Sequence, residues 1–302
     1  MEQLLSFDNS GFQYAWDSTS LSNFVTCPRK YFYENLQGWQ SEERSVHLIF
    51  GGHYAAALEG YHKLVATGVG KNDATREIVR KLLTDTWDEK NNRPQDWMHN
   101  TKTRDTLIRS VVWYLDHFSD DPMPTVILSD GRPAVEYSFS FELSPNYLYC
   151  GHIDRLVEYS GGVYVQDQKT TGAAITAKYF SDFKPDYQMS GYTLAGIIGF
   201  AIPILGVVID AAQIAVGFTR FARGHTSRSM PELEEFRHET LHYIELAKAA
   251  HDTGYYPMNR KACGNYGGCV FRSICSANPV HREALLAAKF TRRDRWDPLK
   301  KR

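Results

Sequence analysis

Four of the five cysteines constrain this chain most. Three stand together in Cys263-Gly-Asn-Tyr-Gly-Gly-Cys269-Val-Phe-Arg-Ser-Ile-Cys275, and the fourth, Cys27, lies almost the whole chain away, followed by Pro28, Arg29 and Lys30. Four thiolates converging on one point suit an iron–sulfur cluster or a tetrahedral zinc ion. Either would fasten the two ends of the chain together and make what lies between them one closed domain. The fifth thiol, Cys150, sits within a strand-like run and reads as a small buried hydrophobe.

Hydrophobic residues make up 43% of the 302 positions and aromatic residues 13%, enough for a well-filled core rather than a disordered chain. The formal net charge is −1, so nucleic acid would have to be held by a local basic groove or by bound cations. The start, Met1-Glu2-Gln3-Leu4-Leu5-Ser6-Phe7, lacks the basic and apolar regions of a signal peptide. With an odd cysteine count, that points to a reducing cytoplasm, where clustered thiols bind metal rather than pair. Residues 194–209 are continuously apolar, but they are short for a bilayer span, carry Pro203 and stop at Asp210. They predict a buried helix running into a connection or strand, and no membrane partner.

Helices are predicted from Ser18, from Pro28, over 53–67 with Gly51-Gly52 marking its start, and around 73–90, 101–118, 184–200 and 231–250. Strands are predicted over 134–141, 147–157, 163–169 and 213–219, with Ser160-Gly161-Gly162 as a hairpin turn. This order describes an α/β core with a mixed sheet. The expected organisation is a single domain, 1–302, with a core over about 46–250. A cluster lobe would come from about 18–45 and 251–280, and a loose basic tail would cover 285–302.

Within the hairpin, Asp154 lies late in one strand and Asp167 and Lys169 end the next. Side chains alternate along a strand, so Asp167 and Lys169 share a face and Gln168 takes the other. Two carboxylates beside one lysine are costly to hold together without a cation, and Mg²⁺ or Mn²⁺ suits carboxylate oxygens. A solvated hairpin with ordinary Asp–Lys pairs is the plainer reading. Three features weigh against it. His53 could add a nitrogen ligand. Gln188 and Tyr192 share a helix face at i and i+4. The order of the segments is unlike chance. Glu59 and His62, on the helix of His53, read as structural or surface residues. Glu136, on a neighbouring strand, is a further candidate for the metal shell.

That order is a G-x-x-H-like segment at Phe50-Gly51-Gly52-His53, then Gly151-His152-Ile153-Asp154, Asp167-Gln168-Lys169-Thr170, Gln188-Met189-Ser190-Gly191-Tyr192 and the cysteine triplet. Over residues 18–276 it resembles the RecB-like branch of the PD-(D/E)XK nuclease superfamily, in particular its iron–sulfur members such as the AddB nuclease domain, the CRISPR-associated adaptation nuclease and related phage exonucleases. The resemblance implies a restriction-endonuclease-like core and a metal held by His53, Asp154, Asp167 and the Gln168 carbonyl. Lys169 would be the catalytic lysine, and a [4Fe–4S] cluster would sit on Cys27, Cys263, Cys269 and Cys275. Both gaps of the triplet hold five residues where many relatives have a C-x-x-C step, so zinc stays the alternative. Contacts to DNA are expected from Gln188, Tyr192, Arg155, Arg29, Lys30, Arg220 and Arg223, since arginine interleaved with aromatics suits single strands.

The implied activity is a DNA exonuclease on single strands or duplex ends, in recombination, repair or processing, with a helicase or recombination protein as a further partner. Its setting would be a prokaryotic or phage-infected cytoplasm. A non-catalytic DNA-binding or assembly subunit on the same fold is the other reading.

Overall fold

A computed structural model describes residues 6–42, 45–198 and 202–300. The first five residues, part of the apolar run at 199–201 and the last two positions of the tail lie outside the described residues. In chain order the elements are β1 (Ala15–Trp16), α1 (Ser18–Thr26), α2 (Pro28–Tyr31) running into a π-helical turn (Phe32–Leu36), β2 (Trp39–Ser41), α3 (Val46–Ala66) and α4 (Lys71–Asp85). Next come the short pair β3 (Trp87–Asp88) and β4 (Arg93–Pro94), then α5 (Arg104–His117), β5 (Val135–Ser144), β6 (Tyr147–Tyr159) and β7 (Gly162–Thr171). The chain finishes with α6 (Ala177–Ser181), α7 (Tyr187–Ile198), β8 (Ile204–Ile214), β9 (Thr219–Thr226), α8 (Met230–Thr253), α9 (Arg272–Ser276), α10 (Arg282–Lys289) and β10 (Phe290–Arg292).

Two compact units emerge. The terminal unit gathers Met1–Arg44, Phe139–Gly151 and Ser229–Arg302; the central unit gathers Ser45–Ser138 and His152–Arg228.

In the central unit, β6 pairs antiparallel with β7, β7 parallel with β8, and β8 antiparallel with β9. This is the mixed sheet expected of the α/β class. Ser160 and Gly161 close the β6–β7 hairpin with φ of 48° and 77°, both in the left-handed region that a two-residue turn of this hand requires. β8 is buried at every residue but Leu205, which suits a strand flanked on both sides and covered on both faces. The predicted strand at 213–219 is displaced: Gln213 and Ile214 end β8, Thr219 begins β9, and the residues between them turn. Alternating apolar residues there mimic a strand, while the continuously apolar stretch before them is the true central one.

Helices α3, α4 and α5 form the main core around Phe50, Tyr54, Leu58, Ile78, Leu107, Val111 and Tyr114, with Ala212 and Ile214 of β8. Gly60 lets α3 and α4 approach, because a Cβ there would stand 2.7 Å from Ile78 Cδ1. α3 also starts earlier than predicted. Gly51 and Gly52 are inside it, and Gly51 lies against β7, with Thr170 Oγ1 3.6 Å from where its Cβ would be.

In the terminal unit, α1 begins at Asp17, whose carboxylate accepts from Ser20 N at 2.8 Å; such a cap contributes about 1 kcal/mol. α8 opens on a Ser229–Glu232 capping box and stops at Gly254, φ 66°. A small core joins Tyr33, Phe271, Ile274, Leu286 and Phe290, with Cys269 and Cys275 packed on it. The tail is more ordered than expected. β10 pairs with β2, Arg293 N donates to Gly38 O at 2.9 Å and Trp296 N to Asn35 O at 3.1 Å, and Trp296 Nε1 reaches the Asp17 carboxylate at 3.1 Å. A strand partner and a half-buried, hydrogen-bonded indole hold a segment that charge alone would leave loose. Gly38 is required there: its φ is 74°, and a Cβ would lie 2.1 Å from Arg293 O.

Candidate active site

The β6–β7 register pairs Arg155 with Gln166, so Asp154 and Asp167 face each other one step further along. Gln168 N donates to Asp154 Oδ2 at 2.8 Å. Lys169 Nζ stands 2.5 Å from Asp167 Oδ2 and donates to Gln188 Oε1 at 2.9 Å. Gln188 Nε2 in turn donates to the Tyr192 hydroxyl at 2.9 Å, and that hydroxyl bonds Asp167. Asp167, Lys169, Gln188 and Tyr192 therefore form a closed ring. The i, i+4 spacing of α7 brings the last two onto the face that covers β7.

Burial first, and then Asp167, pushes the Asp154 carboxyl up to about 7. Burial likewise raises Asp167, against the pull of Lys169. Burial alone would lower Lys169, but Asp167 and Asp154 outweigh it and hold the ammonium above its ordinary value. Asp167 is only 1% exposed, and its Oδ2 has no well-directed hydrogen bond. Two facing acids, both raised by burial, with one lysine between them and their neighbours, are a donor set that fits a hard divalent cation. Among the described residues no three His, Cys, Asp or Glu side chains already stand in a metal-holding group.

His53 is not brought to these carboxylates. Its ring stacks on Trp97 at 5.9 Å and 12°, and burial lowers its pKa. Helix geometry explains the difference. Along α3, residues at about 100° intervals put Ala55, Glu59 and His62 on one face and His53 roughly opposite. It is Ala55, Glu59 and His62 that line a small cavity with Val135, Glu136, Asp154, Arg155 and Gln168. Its volume of about 10 Å³ suits a single water. Sequence reasoning set Glu59 aside as structural or surface; the i, i+4 step from Ala55 was the available signal. Gln168, expected to face away, lines this cavity. Glu136 lies in the left-handed region at φ 50°, and its charge helps raise Asp154.

Two expected DNA contacts are engaged by carboxylates instead. Arg155, 3% exposed, donates to Met123 O at 3.1 Å, to Asp121 at 3.3 Å and to His62. Arg223 holds Asp121 through bonds of 2.6 and 2.9 Å, Asp210 at 3.1 Å and Tyr114 at 3.2 Å, and lies over the Phe118 ring. Tyr114 and Gln166 complete the set on Asp210. These guanidiniums neutralise buried carboxylates and are not free for phosphate. Arg220 is exposed, over Phe218.

In the terminal unit, Arg29 donates to Tyr256 O at 2.7 Å and lies over the Tyr33 and Tyr255 rings. Lys30 donates to Asn23 at 2.9 Å and pairs with Glu34 at 3.6 Å. The four cysteines share one neighbourhood. Asn259 N points to Cys27 Sγ at 3.4 Å, Cys263 Sγ to Asn259 O at 3.9 Å, and Cys269 N donates to Cys263 O at 3.0 Å. Burial raises the Cys269 thiol, and Cys27 and Cys263 add to the shift; burial raises Cys275 too, with Cys27 and Cys269 adding to it. The four thiols lie near one another but, among the described residues, form no three-ligand group. Cys150 is buried, as expected.

No curated protein matches the chain. Among solved structures, a crystal structure from Eubacterium rectale described as "Putative exonuclease" aligns with a TM-score of 0.51 at 12% identity, over 85% of this chain and 87% of that one; at that identity the likeness speaks for the fold. Residues 16–276 match the PD-(D/E)XK nuclease superfamily, a span that includes both facing aspartates, the lysine and all four clustered cysteines. The chain belongs to the PD-(D/E)XK nuclease superfamily.

Proposed function

We propose that this chain is a divalent-metal-dependent deoxyribonuclease that hydrolyses phosphodiester bonds of single-stranded DNA or duplex ends, working as an exonuclease. The observation that carries the reading is Asp154 opposite Asp167 with Lys169 bonded alongside. Asp154, Asp167 and the Gln168 carbonyl would hold Mg²⁺ or Mn²⁺. When bound, the ion supplies charge stabilisation for phosphate oxygens and acidifies a water. Lys169 keeps its proton and presents a fixed positive charge at the same sheet edge, held in place by Gln188 and Tyr192. Each carboxyl must release its proton to accept the ion, so the raised acids favour binding at neutral pH and above.

In the terminal unit, Cys27, Cys263, Cys269 and Cys275 are proposed to bind a [4Fe–4S] cluster, or zinc in its place. Arg29, Lys30 and Arg220 are the expected cations retained as candidate DNA contacts. The test is digestion of end-labelled single- and double-stranded DNA with Mg²⁺ or Mn²⁺ by anaerobically purified protein. Stepwise shortening of labelled strands, abolished by EDTA and by Asp167→Asn, supports the reading. DNA binding with no cleavage under any divalent cation would favour the non-catalytic subunit.

A further inference from the structure

Lys102 is a cation in the central unit that the nuclease site leaves unexplained. Its side chain is 4% exposed, yet it makes no ion pair or side-chain hydrogen bond among the described residues. Among the described residues its partner is the Phe50 ring, 5.4 Å from Nζ. A buried lysine stem that ends without an acceptor leaves its ammonium available to an anion. Two imidazoles stand around it. His99 Nδ1 accepts from Lys102 N at 2.9 Å and from Thr101 N at 3.1 Å, which fixes its tautomer and leaves Nε2–H as a donor. His47, in the first turn of α3, meets His99 edge to face with 5.4 Å between ring centroids. Burial, then Lys102, then His99 lower its pKa. Lys102 Nζ and His99 Nε2 are donors, and His47 stands in the first turn of a helix of 21 residues, at its positive end.

We infer that Lys102, His99 and His47 form an anion site for a phosphate group of the nucleic-acid strand. The site rests on the nuclease reading and adds to it a grip away from the reacting bond. Its position suits that role. Phe50, beneath Lys102, precedes Gly51, which packs on β7 at Thr170, on the Gln168 side of the strand one step beyond Lys169. A strand whose reacting phosphate lies at Asp154 and Asp167 would present a neighbouring or terminal phosphate to Lys102. Phosphate oxygens would accept from the ammonium and from His99 Nε2–H, and would draw a proton onto His47.

The experiment uses the full chain carrying Asp167→Asn as an uncut parent, with binding of fluorescent single strands read by anisotropy over a salt series. Adding Lys102→Met, which keeps the buried stem, is expected to weaken binding five- to twentyfold and to make the log–log salt slope shallower by about 0.7, the contribution of one phosphate. Lys102→Arg should restore most of both. A loss larger for 5′-phosphorylated than for 5′-hydroxyl strands assigns a terminal phosphate; an equal loss assigns an internal one. Unchanged affinity and slope in a folded Lys102→Met protein overturn the inference. If that variant does not fold, inorganic phosphate titrated into the unmutated chain decides: the His47 and His99 ring resonances should move together, and no movement up to tens of millimolar rejects the site. Should the parent bind no DNA and the native chain cut none, the nuclease reading fails, while the phosphate titration still reports on the site.

Discussion

The carboxylate site of the central unit and the thiol set of the terminal unit are both candidate metal centres, but they are built to different degrees. Asp167, Lys169, Gln188 and Tyr192 close a ring of directed bonds. Behind it, on the neighbouring positions of the same strands, Arg155 and Gln166 belong to a second buried network with Asp121, Asp210 and Arg223. The thiols have no such frame. Cys27 and Cys263 make single, long bonds to Asn259, Cys269 takes one backbone bond from Phe271, and what surrounds them is a small aromatic core. The lesson is one of pre-organisation. Protein bonds alone fix the first site, and an ion bound there would relieve its repulsion. The second would need an ion to become a site at all, and ion binding and folding would then be coupled there.

The sharpest way to break this contrast is through the buried network. Arg223→Met leaves Asp121 and Asp210 short of a partner and is expected to cost about 3–5 kcal/mol of stability. Urea melts should show the loss, and hydrogen exchange should place it in the central unit; protection there equal to wild type would show that the network is not what frames the site. Next in size is catalysis. Asp154→Ala, Asp167→Ala and Lys169→Ala should each lower cleavage on the order of a hundredfold or more while the melting temperature stays close to that of the parent. An active Asp167→Ala enzyme, free of contaminating nuclease, would refute the assignment.

The thiol side predicts the reverse pattern. Cys27→Ser and Cys275→Ser should lose bound metal together and become protease-sensitive in the terminal unit, whereas Cys150→Ser should keep its metal. A full complement in Cys27→Ser removes that residue from the set. Smallest is the pH response. His62 is held well below its ordinary pKa by burial and then by Arg155. The unfolded chain takes up its proton first, so this stability is complete above about pH 6.5 and is lost as pH falls, by about 1.4 kcal/mol per unit. Asp154 works in the other direction. Its folded pKa is raised, so its contribution is present at low pH and is lost as pH rises toward 7. Paired melts at pH 5.5 and 8 should show His62→Gln flattening the acid side and Asp154→Asn gaining on the alkaline side. Parallel curves for variant and parent would contradict both assignments.

The hairpin was legible because its signals are local: alternation over 147–171, a turn at Ser160-Gly161 and acids placed by period two. The superfamily followed from the order of segments. What could not be read depends on partners distant in sequence. Asp210 closes an apolar run and looked like its end, yet it is the buried centre of β8 because Arg223, Tyr114 and Gln166 surround it. Arg155 and Arg223 looked like phosphate contacts for the same reason, since their carboxylate partners lie tens of residues away. His53 was misplaced because the G-x-x-H-like segment implied a ligand by resemblance; the wheel of α3 turns it to Trp97 and offers Glu59 instead.

The parallel pairing of β7 with β8 has a kinetic consequence. Its register joins Val163 to Ile204 and Thr171 to Gln213, so each rung closes a loop of about forty residues, which the α6–α7 crossover must span before any rung is gained. The β6–β7 hairpin can form in microseconds on its own, but β7 keeps an unpaired edge until β8 arrives, and pairings of this range are slow and prone to aggregate. During synthesis both aspartates and the lysine therefore leave the ribosome well before the strand that completes their sheet. The interval between the two is the vulnerable stage in making this protein, and slower elongation or a lower temperature over that interval should raise its soluble yield.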